Sequence, residues 1–330
     1  MRLQFVRQHC GFPFSNNVLT SVAEGAPRVV PLTCHGHSRP VTHLSFSPIV
    51  NDEEYYLISA CKDGNPMLRD GVTGDWIGTF IGHKGAVWQA RLSNDASLAI
   101  TASADFSAKV WDTFTGECLQ TLAHEHIVRA ASFSPTASHV TTGGFEKKLR
   151  LYDISRPNEP IEIAPGSHQG AIKSIIWTDP NTVVSAADDK ALRWWDLRSG
   201  NLIEKFDVGD AIGSCELSAS DSIIGATAGK SVYFFNARSR ELVKEVKTAQ
   251  GVSSVSLHAK TRRFVAGGSG DTWVRMYDFD EERELEVYKG HHGPIWSVSF
   301  SPDGNLYATG SEDGTIKLWK YGSNPYGLWR

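Results

Sequence analysis

The chain of 330 residues has few cysteines and no long apolar run. Its five cysteines form no CxxC pair: Cys10, Cys34, Cys61, Cys118 and Cys215. An odd count without such pairs argues against a disulfide framework or a zinc site, and it favours a reducing cytosol or nucleus. No stretch approaches the roughly 20 apolar residues that span a bilayer, so we expect no membrane partner.

Sequence signatures of common enzyme classes are also missing. There is no P-loop, no GxGxxG opening a helix, no HExxH and no GxSxG. His124 and His126 could bind a metal, but no third ligand is evident, which favours one histidine in a structural polar set and one in a loop. We therefore expect no enzyme activity, no cofactor and no metal.

The charge balance gives no support for nucleic-acid binding. The formal net charge is -4, and the isoelectric point is about 6.3. A local basic face would still be compatible with these values. The short basic pairs Lys147-Lys148 and Arg262-Arg263 are more typical of solvated turns. We expect protein partners and no direct contact with nucleic acid.

A motif at the end of the chain recurs along the sequence. It reads Gly290-His291, then Gly310-Ser311-Glu312-Asp313-Gly314, then Lys317-Leu318-Trp319. Gly-His and Trp-Asp marks at a period of about 40–45 residues are typical of WD40 repeats, each of which forms one four-stranded propeller blade. Aligning the last residue of the third predicted strand gives intervals of 42, 41, 43, 40, 42 and 42 residues: Asp70, Asp112, Asp153, Asp196, Asn236, Asp278 and Lys320.

Seven units at this spacing predict an all-β, seven-bladed WD40 β-propeller over residues 28–320. An open ring would leave a bare strand edge, so the blades must close. The last unit supplies only three strands, and we expect residues 29–33 to pair beside the strand that contains Trp319. Residues 1–27 are expected to form a disordered extension rather than a targeting segment, and residues 321–330 a C-terminal tail.

Complete units should bury a polar set of His, Ser, Asp and Trp, because a buried imidazole and a buried carboxylate need hydrogen-bond partners. A catalytic Ser-His-Asp triad occurs once and opens onto a cleft, whereas this set recurs at the blade period. We therefore expect structural sets and no catalytic residue. The complete sets are predicted in units two and seven: His83, Ser103, Asp105 and Trp111, and His291, Ser311, Asp313 and Trp319.

The other units depart from this pattern. In unit four Ala187 stands at the predicted serine position, and in unit one Arg69 stands at the tryptophan position. Unit three combines His124 with Glu146 and Tyr152, while units five and six lack the histidine.

Binding is expected at the wide top face, which is built from the start of the first strand and the turn between the second and third strands of each blade. The residues next to the first buried aliphatic of each first strand should point there. Exposed Trp and Arg side chains often anchor interfaces. Alternatively, Trp88 and Trp296 pack partly between blades. The candidate contact residues are Lys62, Trp88, Arg129, Phe145, Lys173, Asp188, Trp296 and Glu312.

Three segments resemble one WD40 family: residues 31–37, residues 57–88 and the ending Tyr326-Gly327-Leu328-Trp329. Over about residues 30–330 the chain resembles the serine-threonine kinase receptor-associated proteins, also called unr-interacting proteins. The first 27 residues have no counterpart in that pattern.

This resemblance implies a non-catalytic adaptor found in the cytoplasm and nucleus. It implies association with the survival-of-motor-neuron complex and its Gemin components, which load Sm proteins onto small nuclear RNAs and so support pre-mRNA splicing. It also implies an alternative role as a scaffold for transforming-growth-factor-β receptor kinases and Smad proteins. A third reading is a ubiquitin-ligase substrate receptor, although residues 1–27 look too short for an F-box or similar segment.

Overall fold

The computed structural model describes residues 30–51, 54–218 and 223–321. Over these ranges, 28 β-strands form seven four-stranded antiparallel sheets, and a short 3-10 helix covers Ala259–Thr261. The predicted all-β, seven-bladed propeller is confirmed. The predicted extension, residues 1–27, and the predicted tail apart from Tyr321 lie outside the described residues. Within the described ranges, no helix has the length and apolar character needed to cross a membrane.

Blades one to six each consist of four consecutive strands. Blade one contains β2 (Val41–Phe46), β3 (Tyr56–Cys61), β4 (Met67–Asp70) and β5 (Trp76–Thr79). Blade two contains β6 (Val87–Leu92), β7 (Leu98–Ser103), β8 (Ser107–Asp112) and β9 (Cys118–Ala123). Blade three contains β10 (Val128–Phe133), β11 (His139–Gly144), β12 (Leu149–Asp153) and β13 (Arg156–Ile163).

The remaining blades follow the same order. Blade four contains β14 (Ile172–Asp179), β15 (Thr182–Ala187), β16 (Ala191–Asp196) and β17 (Asn201–Asp207). Blade five contains β18 (Ile212–Leu217), β19 (Ile223–Ala228), β20 (Ser231–Asn236) and β21 (Leu242–Lys247). Blade six contains β22 (Val252–His258), β23 (Arg263–Gly268), β24 (Trp273–Asp278) and β25 (Glu284–Lys289). Blade seven joins β26 (Ile295–Phe300), β27 (Leu306–Ser311) and β28 (Ile316–Lys320) to β1 (Leu32–Cys34).

The repeat spacing places the strands correctly. All seven aligned residues, from Asp70 to Lys320, end the third strand of their blade. The first strand of each blade contacts the first strands of both neighbouring blades, so these seven strands surround the central channel. The period read from the sequence is therefore the period of the blades.

The ring closes through β1, as predicted. This strand pairs antiparallel with β28, and Leu32 lies opposite Leu318. Lys317 Nζ donates a hydrogen bond of 2.8 Å to Thr33 Oγ1. Cys34 is buried in the apolar cluster between blades seven and one, which also contains Val41 and Leu318. The strand begins at Leu32, and Val29 of the predicted segment lies outside the described residues.

The core is divided among the blade interfaces rather than gathered at one centre. Each apolar cluster joins side chains of adjacent blades, as in the cluster of Ile58, Phe80, Val87 and Trp111 between blades one and two. At least one hydrogen bond crosses each of the seven blade interfaces. From the interface of blades one and two round to that of blades seven and one, with the donor residue first, these bonds are Thr42 to Val87, Ala131 to Gln89, Trp177 to Thr141, Ser174 to Cys215, Thr227 to Ser253, Val298 to Ser254, and Leu44 to Ser297. Stability therefore depends on contacts that run around the whole ring.

Candidate functional site

A β-bulge at the start of the first strand recurs in every blade. In blade two the pairing shifts between Val87 and Gln89, and the other six blades shift at the equivalent place. A bulge leaves the extra residue unpaired and re-aims its side chain. The residues placed in this way all line the upper mouth of the channel: Thr42, Trp88, Arg129, Lys173, Gly213 with Ser214, Ser253 and Trp296.

The upper mouth of the channel is a cavity of about 310 Å³. Five of the eight predicted contact residues line it, namely Trp88, Arg129, Lys173, Trp296 and Glu312. The other three, Lys62, Phe145 and Asp188, lie in the adjoining turns between second and third strands. A cavity of about 510 Å³ occupies the opposite end of the channel.

Five of the predicted residues contact one another across four blades, namely blades one, two, three and seven. The rings of Trp88 and Trp296 stack with centroids 6.3 Å apart and an interplanar angle of 24°. Lys62 Nζ lies 4.1 Å from the ring centroid of Trp296 and 5.5 Å from that of Trp88. The Arg129 guanidinium lies 4.1 Å from the Trp88 ring and 6.0 Å from the Phe145 ring. The fold therefore gathers residues that are far apart in the sequence.

The other predicted residues have different surroundings. Lys173 Nζ forms an ion pair of 2.5 Å with Asp188 Oδ1, and Glu312 is exposed at the rim. Trp88 and Trp296 are partly exposed and contact each other, so each combines a packing contact with an accessible edge. Contact of these residues with a partner remains a prediction.

Sequence reasoning missed two aromatic neighbours, Phe106 and His126. The His126 ring stacks on Phe145 with centroids 5.4 Å apart, and Phe106 lies 5.5 Å from His126. Phe106 and Phe145 are 46% and 41% exposed, an unusual cost for large apolar rings. Both lie in turns between second and third strands, so an aromatic residue in such a turn was the available signal.

The polar sets hold the turns beneath this face. In blade two His83 Nδ1 donates to Asp105 Oδ2 at 2.7 Å, and His83 Nε2 accepts from Thr101 Oγ1 at 2.7 Å, a tautomer assigned from the network. Trp111 Nε1 donates to Thr101 Oγ1 at 2.8 Å. The same contacts recur in blade seven among His291, Thr309, Asp313 and Trp319.

The predicted serine members are therefore wrong. Thr101 and Thr309, rather than Ser103 and Ser311, join the histidine to the tryptophan. Ser103 Oγ instead accepts from the Asp105 amide at 3.2 Å and donates to the Gly85 carbonyl at 3.3 Å. Residues two apart on a strand share a face, so alternation alone could not decide between these two hydroxyls.

This correction restores the set in blade four. His168 Nε2 lies 2.7 Å from Ser185 Oγ, which also accepts from Trp195 Nε1 at 2.8 Å. Ala187 therefore does not interrupt the polar set of blade four, because the hydroxyl member of that set is Ser185. Arg193 Nη1 adds a hydrogen bond of 2.8 Å to Asp189 Oδ2.

Blades one and three retain parts of the pattern. In blade one His37 contacts Ser59 at 2.8 Å and Asp63 at 3.0 Å, while the Arg69 guanidinium donates to backbone carbonyls where other blades have tryptophan. In blade three His124 Nε2 contacts Thr142 Oγ1 at 2.8 Å. The hydroxyls of Ser59, Thr101, Thr142, Ser185 and Thr309 are fully buried, which supports a structural role for every set.

One group in the described part of the chain has a donor set that could suit a metal ion. The donor atoms of His37, Cys61 and Asp63 lie within 4.8 Å of one another. Cys61 Sγ donates to the Arg39 carbonyl at 3.0 Å, and burial raises the pKa of this thiol to about 12. The thiol is therefore protonated at neutral pH, and these atoms serve the hydrogen bonds of blade one.

Acid should destabilise the fold from about pH 6.5 downward. Burial lowers the pKa of His124 to about 4, and burial together with the charge of Arg193 lowers the pKa of His168 to about 4. In the unfolded chain both titrate near 6.5, so between these values the unfolded state binds more protons and stability falls as the pH falls. We expect a loss on the order of 2 kcal/mol for each histidine, seen as a lower urea midpoint at pH 4.5 than at pH 7.5.

A His168→Asn variant is the control for the acid prediction. It should be less stable at neutral pH, and its stability should fall less steeply between the two pH values. An unchanged pH slope in this variant would contradict the assignment to His168.

Below about pH 4 a further loss of stability should come from Asp313, because hydrogen bonds from His292 and Thr315 outweigh burial and lower the pKa of this carboxyl to about 2.

The fold and its recurring polar sets define a WD40-repeat β-propeller, a class of scaffold that engages other proteins and is typically non-catalytic. The family described as WD domain, G-beta repeat matches residues 282–320. The family described as nucleolar protein 10-like, N-terminal domain, matches residues 83–235.

Comparison with curated proteins identifies the family within this class. A "Serine-threonine kinase receptor-associated protein" of Gallus gallus is 47% identical over 306 residues, covering 92% of this chain and 87% of that protein. A protein of the same name in Dictyostelium discoideum is 48% identical over 292 residues, covering 88% of this chain and 98% of that protein. A "Eukaryotic translation initiation factor 3 subunit I" of Culex quinquefasciatus is 29% identical over 325 residues, covering 90% and 98%. The chain belongs to the family of serine-threonine kinase receptor-associated proteins, and the predicted resemblance is confirmed.

Proposed function

We propose that the chain is a non-catalytic adaptor of the survival-of-motor-neuron complex. In this role it supports assembly of spliceosomal small nuclear ribonucleoproteins, and so pre-mRNA splicing, in the cytoplasm and nucleus. Its partners are protein components of that complex, including Gemin proteins, rather than the RNA. Family membership over about nine-tenths of the chain supports the proposal, because the resemblance to that family implies these partners.

The observation that carries an adaptor role is the cluster at the top face. Trp and Arg side chains dominate the energy of many interfaces when they sit near the centre of a contact patch. Here Trp88, Trp296 and Arg129 lie in contact at the channel mouth and keep partly exposed surfaces. The recurring Ser-His-Asp-like sets bury their hydroxyls, so they offer no nucleophile to a substrate.

A second function is favoured by the name of the relatives, which describes association with a serine-threonine kinase receptor. The resemblance to that family implies that the receptor partners are transforming-growth-factor-β receptor kinases and that Smad proteins bind as well. The same top face would serve such partners. A ubiquitin-ligase substrate receptor has no supporting observation beyond the propeller fold itself.

Affinity purification followed by mass spectrometry tests the proposal. The wild-type chain should recover survival-of-motor-neuron and Gemin proteins, and a Trp88→Ala/Trp296→Ala variant should recover at least tenfold less. Trp273→Ala is the matched control, because this exposed tryptophan also lies beneath a lysine, with Lys289 Nζ 4.0 Å from its ring, but it belongs to the third strand of blade six and does not line the channel mouth.

The melting temperatures of all three proteins should be compared by circular dichroism. A double variant that melts well below wild type would assign the two tryptophans to the packing between blades. Recovery of receptor kinases or Smad proteins alone would support the second function. Purification without any survival-of-motor-neuron or Gemin component would refute the adaptor proposal.

A further inference from the structure

Seven side chains form one continuous line of aromatic rings and cations on the top face. We call it the aromatic–cation strip. Each member contacts the next, with separations between ring centroids or cation and ring of 5.5, 5.4, 6.0, 4.1, 5.5 and 4.1 Å. In order the strip consists of Phe106, His126, Phe145, Arg129, Trp88, Lys62 and Trp296.

Among the described residues, no carboxylate oxygen lies within 4.0 Å of either permanent cation of the strip, Lys62 Nζ or the Arg129 guanidinium. The charge of Asp188 acts on Arg129 from beyond that distance. Nearby Lys173, in contrast, is paired with Asp188 at 2.5 Å. The Nε atom of Arg129 is also buried without a hydrogen-bond partner. The rings fix the positions of both charges and leave them available to an anionic group.

We propose that the aromatic–cation strip docks a short acidic segment of a protein partner. Two carboxylates of the segment pair with Lys62 and Arg129, and an adjacent apolar side chain enters the cavity of about 310 Å³ beside Trp88 and Trp296. Charge complementarity supplies selectivity, and the aromatic edges supply apolar contact area. This inference rests on the proposed adaptor function and names the chemistry of the partner.

The local geometry favours a peptide over a single-stranded nucleic acid. Bases bind such surfaces by stacking on free aromatic faces. Here Arg129 covers Trp88 and Lys62 covers Trp296, so the indole faces are already occupied. Carboxylates also border the strip, including exposed Glu312 at the cavity rim, and they would repel a continuous chain of phosphates. A peptide can place two carboxylates and avoid the acidic rim.

Phe106 gives independent support for a docking role. Its backbone has φ +65°, in the left-handed region that disfavours a residue with a bulky side chain. The corresponding turn is left-handed in other blades as well, with Gly314 at φ +79° and Lys147 at φ +64°, so the turn itself sets this backbone conformation. Phe106 differs in placing a large apolar ring there, and that ring is 46% exposed. A contact with a partner accounts for the exposed ring.

Fluorescence anisotropy with the full chain tests the inference. The probe is a rhodamine-labelled peptide of alternating Glu and Leu, compared with a matched peptide of alternating Gln and Leu and with a labelled oligouridine of similar length. The Glu peptide should bind at least tenfold more tightly than the Gln peptide, and added salt should weaken its binding. A Lys62→Gln/Arg129→Gln variant should lose at least tenfold in affinity for it.

Two further variants separate charge from folding. Lys62→Arg/Arg129→Lys keeps both charges and should retain most of the affinity. Lys289→Gln removes the cation over Trp273 and should leave the affinity unchanged. Equal affinity for the Glu and Gln peptides would overturn the inference. So would a loss of affinity for the Glu peptide in the Lys289→Gln variant as large as the loss in the Lys62→Gln/Arg129→Gln variant. Tighter binding of oligouridine that disappears in the double Gln variant would assign the strip to nucleic acid instead.

The outcomes distinguish this inference from the proposed function. If the protein recovers survival-of-motor-neuron components but does not bind the Glu peptide, the inference is overturned and the adaptor proposal stands. Binding of the Glu peptide by a chain that recovers no such component would overturn the adaptor proposal alone.

Discussion

Removing the closing strand should lower the melting temperature of the propeller by on the order of 10 °C. Two truncations isolate this effect, one lacking residues 1–27 and one lacking residues 1–33. Only the second removes Leu32 and Thr33 of β1, and with them the pairing of Leu32 with Leu318 and the hydrogen bond from Lys317 to Thr33. Full burial of a leucine stabilises a fold by about 1.5–3 kcal/mol, so partly buried Leu32 contributes less than that, and the lost strand pairing adds to the cost.

The physical reason for so large an effect is the topology of the ring. β1 covers the outer edge of β28, so its loss leaves a strand of the last blade with unpaired backbone groups. The apolar cluster between blades seven and one also opens, because Leu32 packs against it. Differential scanning calorimetry of both truncations provides the measurement. Equal melting temperatures for the two proteins would refute closure through β1.

Replacing Thr101 with valine should destabilise the protein by about 2–4 kcal/mol. Valine has nearly the shape of threonine, so the change leaves little cavity. It removes the hydroxyl that connects His83 to Trp111 and leaves two buried nitrogen atoms without partners. An unsatisfied buried polar group costs about 1–3 kcal/mol, and two are created here.

The matched control is Ser103→Ala on the same strand. Ser103 makes only two long hydrogen bonds to backbone groups, at 3.2 and 3.3 Å, so its loss should cost about 1 kcal/mol or less. Urea denaturation with equal m-values would allow the two free energies of unfolding to be compared. A larger loss of unfolding free energy for Ser103→Ala than for Thr101→Val would show that Ser103, rather than Thr101, is the hydroxyl member of the polar set.

Much of the fold was predictable because the marks of each repeat are local. Turn glycines, strand aliphatics and the residue that ends the third strand recur within each unit, and their spacing alone located Asp70, Lys320 and the five ends between them. The need to pair the last strand then identified the segment around Leu32 as the closing strand. These inferences used order along the chain and the general rule that strand edges are covered.

The polar sets and the top face show where such inference ended. Alternation put Thr101 and Ser103 on one face of β7, and only the distances to His83 and Trp111 selected Thr101. Sequence reasoning found Trp88, Lys62 and Arg129 one at a time. It could not show that they contact one another, because the contacts join blades one, two and three.

The sequence by itself determined the number of blades, their boundaries, the closure of the ring and the family, because these depend on periodic local patterns. Only the tertiary structure decided that Lys62, Trp88, Arg129 and Trp296 contact one another, and that Phe106 and His126 continue the line of rings and cations. The physical reason is that both features depend on distances between blades. Those distances are set when the ring closes and its interfaces pack, and no single repeat contains them.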